Sequence, residues 1–398
     1  MRARAAILVA LTSFLMPWSA QAQQSRDTVL ASAAAADSQD APQTAPQPAV
    51  LTPPSAPVVQ TEPDYPRGRI SGYMFGDAYY NVTGDPVHVY SGSADLGKPN
   101  IDGTPNIGKD LNGFQVRRVY FQLDNDLSVK YSTRFRLEMD GKELTSGGKL
   151  GVYVKNAFLQ AKNVVPRGNF FFGEISTPTF ENSEEFWQYR SIEKTLLDFR
   201  GVSPSSDLGV ELKGYADAGH KIGYSAMIGN GQGQKPETNR FKRLYLSIPL
   251  SPIHDLKIEP YVDYEPGVAG VDKTLYKIFA GYEFKKFALG GEAMDQVVLT
   301  RSAVPNAEPR GFSAFARTMP RPNLGAFARF DRWIPNKQAA NRLDSDLWIA
   351  GLDWQPYKDV HIMPNVEATQ YHAQGTQVAP AHHDTQARIT FYYKFSKP

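Results

Sequence analysis

Strict alternation of charged and apolar side chains, repeated from segment to segment, is the feature that most limits how this chain can fold. In SVKYSTRFRLEMD, residues 128–140, every charged side chain is at an even position, and the apolar side chains are at odd positions from Tyr131 onward. Successive side chains of a strand point to opposite faces, so the pattern predicts a strand with one charged and one apolar face. Sixteen such segments recur, near 69–81, 114–124, 128–140, 150–162, 168–175, 207–214, 220–228, 240–249, 255–265, 273–284, 286–298, 310–318, 323–332, 345–355, 359–371 and 386–395.

The connections between these segments are alternately short and long. Short ones include 125–127, 251–255, 285–286 and 357–359. Long ones include 82–113, 176–206, 229–239, 299–309, 333–344 and 372–385. Short turns at one end and long loops at the other are the layout of an outer-membrane barrel, whose apolar face meets lipid and whose polar face meets lumen water.

These patterns predict an all-β fold, a closed antiparallel transmembrane β-barrel of about 16 strands with short periplasmic turns and long surface loops. A soluble β-sandwich is the alternative, and it could contain one or two such strands. Aromatic residues make up 12% of the chain and cluster near the strand ends, which a sandwich rarely needs and a membrane barrel uses at its two interfaces.

The N-terminal region predicts export. Arg2 and Arg4 precede the apolar run AAILVALTSFLM, and small residues offer a cleavage site near Ala22, so residues 1–22 are expected to be a signal peptide. The run is too short to span a bilayer as a helix. Residues 23–66 are rich in Pro, Ala and Gln, which predicts a disordered periplasmic tether, with a cell-wall contact as the alternative. Residues 67–398 are expected to form the barrel, in the bacterial outer membrane.

Charge and cysteine content exclude several classes of function. The formal net charge of +2 is too small to predict a nucleic-acid partner. The chain has no Cys, which removes disulfides, thiolate metal sites and Cys nucleophiles. The seven His are scattered, and the His382–Asp384 cluster has no evident partner ligands, so the sequence predicts no metal site, no cofactor and no enzyme.

Four segments in order resemble landmarks of one family. They are GFQVRRVYFQLDNDLSVKYSTRFRLEMD at 113–140, FFFGEISTPTFENSEEFWQYRSIEKT at 170–195, SDLGVELKG at 206–214 and GNGQGQKPETNRFKRLYLSIPLSP at 229–252. This ordered set resembles the phosphate-selective porin O and P family of bacterial outer-membrane porins. The resemblance implies a sixteen-stranded homotrimer that passes small anions. Outer-membrane lipid, lipopolysaccharide and the barrel-assembly machinery are the other expected partners.

The resemblance also implies where individual residues lie. Arg118 and the pair Arg134 and Arg136 would be wall residues, and Arg190 would lie in a loop that turns inward. Tyr189 stands where the family pattern has an acid.

The candidate site is the charged interior of the expected barrel. Alternation places Lys130 on the same face as the wall arginines. The connection 176–206 combines aromatic side chains with charges of both signs, which predicts that it folds into the lumen, because aromatics in a solvated loop gain nothing from burial. An ordinary surface loop is the alternative. The expected pore-lining, anion-binding set is Arg118, Lys130, Arg134, Arg136, Arg190, Lys194 and Arg200, and the expected constriction-loop acids are Glu181, Glu184 and Glu185.

The function predicted from these residues is passive diffusion of small solutes through a water-filled pore, with a mild preference for anions such as phosphate. Sixteen strands leave room for a channel. A dry plug would leave the charges of the lumen face buried without water, which is costly. Arg matches phosphate oxygens with a fixed fork of donors. A weakly selective general porin and a non-conducting structural or adhesin barrel are the alternatives.

Overall fold

The computed structural model describes residues 64–84, 109–144, 149–267, 270–300, 307–379 and 383–397. The predicted signal peptide, and the predicted tether up to residue 63, lie outside the described residues. So does His382 of the predicted loop cluster.

Across the described residues, sixteen antiparallel strands close into one barrel. Each strand pairs with its neighbours in the sequence, and the first strand pairs with the last. The strands are β1 (Arg67–Thr83), β2 (Asn112–Asp126), β3 (Tyr131–Leu144), β4 (Leu150–Val165), β5 (Gly168–Ser176), β6 (Ser206–Tyr215), β7 (Gly223–Gly229), β8 (Arg243–Ser247), β9 (Leu256–Glu265), β10 (Val271–Phe284), β11 (Phe287–Thr300), β12 (Arg310–Arg321), β13 (Leu324–Ile334), β14 (Arg342–Tyr357), β15 (Val360–Gln374) and β16 (Asp384–Lys397). Each predicted segment corresponds to one strand, and the predicted fold class is confirmed.

The two ends of the barrel differ in the length of their connections. The turn end carries 127–130, 166–167, 216–222, 248–255, 285–286, 322–323 and 358–359. The loop end carries 84–111, 145–149, 177–205, 230–242, 266–270, 301–309, 335–341 and 375–383. The chain enters β1 and leaves β16 at the turn end.

The outer face of the barrel is apolar. In β3, Phe135 is 41% exposed on the outside, whereas Glu138 and Asp140 on the inside are fully buried. Exposed outward aromatics gather near the turn end, where they include Tyr282, Phe284, Phe287, Trp354, Tyr393 and Phe395. An apolar band with a girdle of aromatics suits contact with hydrocarbon and its interface. Within the described residues, no helix has the length and apolarity needed to cross a membrane.

Two β-bulges interrupt the alternation and turn extra cations inward. Between β1 and β2, Phe75 pairs with Arg118 and Gly76 pairs with Val116, so Arg117 has no opposite residue. Arg117 and Arg118 are consequently both buried on the inner side. A similar register shift between β3 and β4 turns Lys155 inward. Strict alternation would place Arg117 and Lys155 on the lipid face, where a cation costs about 2–4 kcal/mol at the bilayer midplane. The bulges avoid this cost by turning both side chains inward.

The connection 177–205, called the inward loop from here on, folds inside the barrel. It contains two short helices, α1 (Glu181–Trp187) and α2 (Leu196–Phe199). Its apolar side chains pack against the inner wall in two clusters. The first joins Phe180, Leu196 and Leu197 of the loop to the wall residues Ile175, Met227, Tyr245, Tyr261, Leu275 and Met294. The second joins Trp187, Tyr189 and Ile192 to Phe279, Phe315, Phe327, Leu347, Ile349 and Met363. The aromatic residues of the loop therefore gain the burial that its composition predicts.

Candidate functional site

Cations of the barrel wall hold the backbone of the inward loop. The donors and the loop carbonyls they reach are Lys277 to Thr179 (2.6 Å), Arg317 to Phe186 (3.0 Å), Arg117 to Ile192 (3.1 Å) and to Ser191, and Arg329 to Lys194. A wall carboxylate balances each of them, as in the 2.8 Å ion pair between Lys277 and Glu259. These cations fix the position of the loop, and their charge is already neutralised.

A pair of glycines makes room for α1 against the wall. Gly281 of β10 and Gly290 of β11 lie opposite each other in the sheet. A Cβ on Gly281 would lie 2.6 Å from the ring of Phe186, and one on Gly290 would lie 3.0 Å from it. The absence of side chains at these two positions lets the C-terminal turn of α1 approach the inner wall closely.

Tyr189 anchors the loop through its hydroxyl group. The hydroxyl donates to Asp353 of β14 at 3.2 Å, and its ring lies 4.2 Å from that of Phe327. Asp353 also bonds Nδ1 of His361 at 2.9 Å. The wall, rather than the loop, supplies the acid in this contact.

Arg190 joins two parts of the loop to the opposite wall. Its Nε pairs with Glu184 at 3.0 Å, and one terminal nitrogen pairs with Asp198 at 3.1 Å. The other terminal nitrogen donates to the hydroxyl of Tyr120 on β2 at 3.1 Å. Lys194 lies 3.9 Å from the second oxygen of Asp198. Two acids and two cations of the inward loop therefore form one network.

The two acids of this network titrate differently. Burial of Glu184 raises its pKa to about 7, despite the nearby Arg190, and the charge of Asp198 adds to the rise. Burial would also raise the pKa of Asp198, but Lys194 and Arg190 hold it well below its usual range. Near neutral pH, Asp198 is ionised and Glu184 is close to its midpoint.

The structure places two of the predicted wall cations away from open lumen water. Arg118 is 4% exposed and binds Glu138 at 2.6 Å, so its charge is compensated inside the wall. Lys130 is exposed in the turn before β3, because β3 begins at Tyr131 and not at residue 128 as predicted. The Ser128 hydroxyl accepts the backbone N–H of Lys130 at 3.2 Å and that of Tyr131 at 3.1 Å, which closes the turn.

Arg134 faces a cavity of about 760 Å³ near the turn end, which Ser132, Gln160 and Lys213 also line. Its Nε pairs with Asp124 at 2.7 Å, and its side chain stays 33% exposed. Asp124 also binds Arg69 at 2.9 Å, so two guanidinium groups share one carboxylate.

Arg136 is half-buried, and its partners among the described residues are uncharged. It donates to the amide oxygen of Gln122 at 2.6 Å, and its guanidinium lies 5.9 Å from the centre of the Tyr120 ring. Among the residues that the structure describes, no carboxylate forms an ion pair with it. Within the described part of the chain, Arg136 therefore places on the inner wall a positive charge with which no carboxylate pairs.

The remaining predicted residues belong to the inward loop. Lys194 is buried in the Arg190 network. Arg200 donates to the Ser345 hydroxyl at 3.2 Å and lies against the rings of Phe199 and Trp333. Glu181 pairs with Lys213, and Glu185 pairs with Lys257 at 3.2 Å. Glu181 and Glu185 are thus each paired with a cation of the barrel wall.

A further cavity of about 480 Å³ lies on another side of α1. Glu184, Arg190 and Arg317 line it, together with Asp353 and His361. Both cavities open among charged side chains, and α1 contributes residues to both. Within the part of the chain that the structure describes, no group of three or more His, Cys, Asp or Glu is placed to hold a metal ion.

Sequence reasoning missed Arg117 and Lys155, because the alternating pattern assigns both to the lipid face. The available signal was the Arg117-Arg118 pair itself. In an alternating strand, one of two adjacent cations faces lipid unless a bulge turns both of them inward.

No protein-family model matches the chain, and no curated protein matches it. Solved barrels match its fold. The anion-selective porin of Comamonas acidovorans has a TM-score of 0.58 at 11% identity, over 83% of this chain and 100% of that chain. The outer-membrane channel DcaP of Acinetobacter baumannii has a TM-score of 0.57 at 13% identity, over 83% and 97%. The outer-membrane protein OmpT of Vibrio cholerae has a TM-score of 0.57 at 12% identity, over 85% and 100%. At such identity these likenesses establish the fold of the barrel.

Proposed function

We propose that this protein is a porin of the bacterial outer membrane, through which small solutes diffuse passively with a mild preference for anions. The apolar outer face supports the membrane location, and the charged cavities beside the inward loop support a water-filled path. The predicted signal peptide and periplasmic tether belong to the same proposal. The fold of the anion-selective porin of C. acidovorans is compatible with this selectivity.

The single observation that carries the anion preference is the environment of Arg136. Arg136 is half-buried on the inner face, and its partners among the described residues are the Gln122 amide and the Tyr120 ring, both uncharged. Two residues before it on β3, Arg134 pairs with Asp124, which also binds Arg69. Low-dielectric walls focus the field of such charges across an opening, so a local excess of cations can outweigh a nearly neutral chain. Phosphate is the anion whose oxygens best match the donor fork of Arg.

A weakly selective general porin is the second candidate, and the loop itself favours it. The cations that face Glu181 and Glu185 neutralise those acids, and the Arg190 network balances its own charges when both of its acids are ionised. In this case Arg136 would be too isolated to select between ions.

Reversal potentials in a potassium chloride gradient distinguish the two candidates. We expect an anion-directed potential for the wild type and a shift toward zero for Arg136→Gln, which removes the positive charge at this position. The matched control is Arg240→Gln, because Arg240 is an exposed arginine of the loop 230–242. This control should keep the wild-type potential. Equal potentials for the wild type and Arg136→Gln would refute the role of Arg136.

We further propose a homotrimer, the state that the family resemblance implies. One structure of V. cholerae OmpT, similar at a TM-score of 0.56 and 12% identity, is described as a trimer form. Light scattering of the detergent-solubilised protein should give three times the protomer mass, and a monomer mass would contradict this proposal.

A further inference from the structure

The Arg190 network contains two carboxyl groups on one guanidinium. Glu184 comes from α1 and Asp198 from α2, and both pair with Arg190 at about the same distance, 3.0 Å and 3.1 Å. Two carboxyl groups that share such a site do not ionise independently, because the second negative charge is repelled by the first. The pair therefore holds one proton over a range of pH in which isolated acids hold none.

Of the two acids, Glu184 is the one in contact with lumen water. Its side chain is 24% exposed and lines the cavity of about 480 Å³, whereas the side chain of Asp198 is 7% exposed. A proton that leaves the pair through Glu184 thus passes directly into the path proposed for solutes.

The groups that face this pair from neighbouring elements bear on its charge. Tyr73 of β1 and Tyr120 of β2 are phenols, which are uncharged near neutral pH. Arg136 and Glu138 of β3 and Lys155 of β4 lie nearby, and Glu138 is paired with Lys155 at 3.3 Å. Arg317 of β12, Asp353 of β14 and Lys394 of β16 line the same cavity as Glu184. The cavity also contains the imidazole of His361. Because this side chain is titratable and lies in the same cavity, His361 must be controlled for.

We infer that Glu184 and Asp198 share one proton near neutral pH, and that loss of this proton through Glu184 as pH rises lowers the preference of the pore for anions. The inference rests on the porin function proposed above. With the proton bound, the four groups of the network, Glu184, Asp198, Arg190 and Lys194, together carry one net positive charge. Without it, the network is neutral. Burial that raises the pKa of Glu184 to about 7 places this change between pH 6 and pH 8.

The test compares reversal potentials at pH 6 and pH 8 in the wild type, Glu184→Gln, Glu185→Gln and His361→Gln. One unit charge beside a narrow aqueous path changes the ratio of anion to cation permeability by about threefold. In the wild type, the ratio of anion to cation permeability should fall by about this factor between pH 6 and pH 8. Glu184→Gln should show the selectivity of the acid form at both values.

The other two variants are controls. Glu185 is on the same helix and is 71% exposed in a pair with Lys257, so Glu185→Gln should shift the selectivity equally at both pH values. His361→Gln should retain the dependence on pH. A wild-type dependence that survives in Glu184→Gln, or one that disappears in His361→Gln, would overturn the inference.

A readout without conduction separates this inference from the porin proposal. Infrared difference spectra of the protein in detergent should show a protonated carboxyl group that ionises between pH 6 and pH 8 and is missing in Glu184→Gln. This band together with no conductance would mean that only the porin proposal fails. Conductance without the band would refute the inference of a shared proton and leave the porin proposal intact.

Discussion

Replacement of Trp187 by alanine should detach the inward loop from the barrel wall. Trp187 is fully buried, and its ring lies 5.2 Å from that of Phe315 and 6.0 Å from that of Phe327. Its indole N–H donates to the carbonyl oxygen of Glu193 at 2.9 Å, which ties α1 to the chain that follows. No other side chain of the loop combines this much buried area with an internal hydrogen bond among the described residues.

The magnitude of the loss follows from these contacts. A buried Trp removes roughly 200 Å² from water, which is worth about 5 kcal/mol at 25 cal/mol per Å². The hydrogen bond adds about 1 kcal/mol. Measured costs of Trp→Ala in cores, about 3–5 kcal/mol, agree in size. A loss of about 5 kcal/mol changes the balance between seated and detached loop by roughly 10³- to 10⁴-fold.

Two assays report on the seating of the loop. Trypsin cleaves after Lys and Arg, and the inward loop contains Arg190, Lys194 and Arg200, so Trp187→Ala should be cut there while the wild type is protected. The variant should also conduct more current per channel, with more noise, because a constriction has been loosened. The matched control is Trp348→Ala, since Trp348 is 51% exposed on the outer face. Unchanged proteolysis and conductance in Trp187→Ala would refute the claim that apolar packing seats the loop.

Two further substitutions test the polar contacts of the wall. Tyr189→Phe removes the hydrogen bond to Asp353, at a cost of about 1 kcal/mol, and should increase tryptic cleavage of the loop less than Trp187→Ala does; cleavage equal to the wild type would contradict the anchor. Arg118→Gln leaves Glu138 buried with one cation fewer, which should destabilise the barrel by about 3–5 kcal/mol in denaturant titrations followed by gel mobility. Because Arg118 is 4% exposed, its loss should leave the reversal potential unchanged, and a shifted potential would show that its charge reaches the lumen.

The strands could be predicted from the sequence because side chains along each strand of a membrane barrel face lipid and lumen alternately. This constraint is local, so segments such as 310–318 and 345–355 were recognisable without knowledge of their neighbours. The exceptions are also physical. The bulges at Arg117 and Lys155 depend on the register between two strands, which a single segment does not contain.

The site was less predictable than the fold, because its charges are compensated over long distances in the sequence. Composition indicated that the inward loop enters the lumen, since Trp187 and Tyr189 need burial. It did not indicate that Arg190 meets Tyr120, or that the hydroxyl of Tyr189 donates to Asp353 of the wall. Alternation assigned Arg118 and Arg136 to the same face, but only the cross-strand pairs show that Glu138 neutralises one of them and that Gln122 leaves the other charged.

The central claim is that an open aqueous path passes between the inward loop and the barrel wall, and single-channel recording tests it most directly. Purified protein in a planar bilayer should give stepwise currents whose conductance rises with potassium chloride concentration, because the cavities beside α1 are lined by charged and solvated side chains. The reversal potential in a salt gradient should be anion-directed and should fall as ionic strength screens Arg134 and Arg136. Bilayers that contain folded, heat-modifiable barrel but show no current steps would contradict the account and support a structural barrel closed by its own loop.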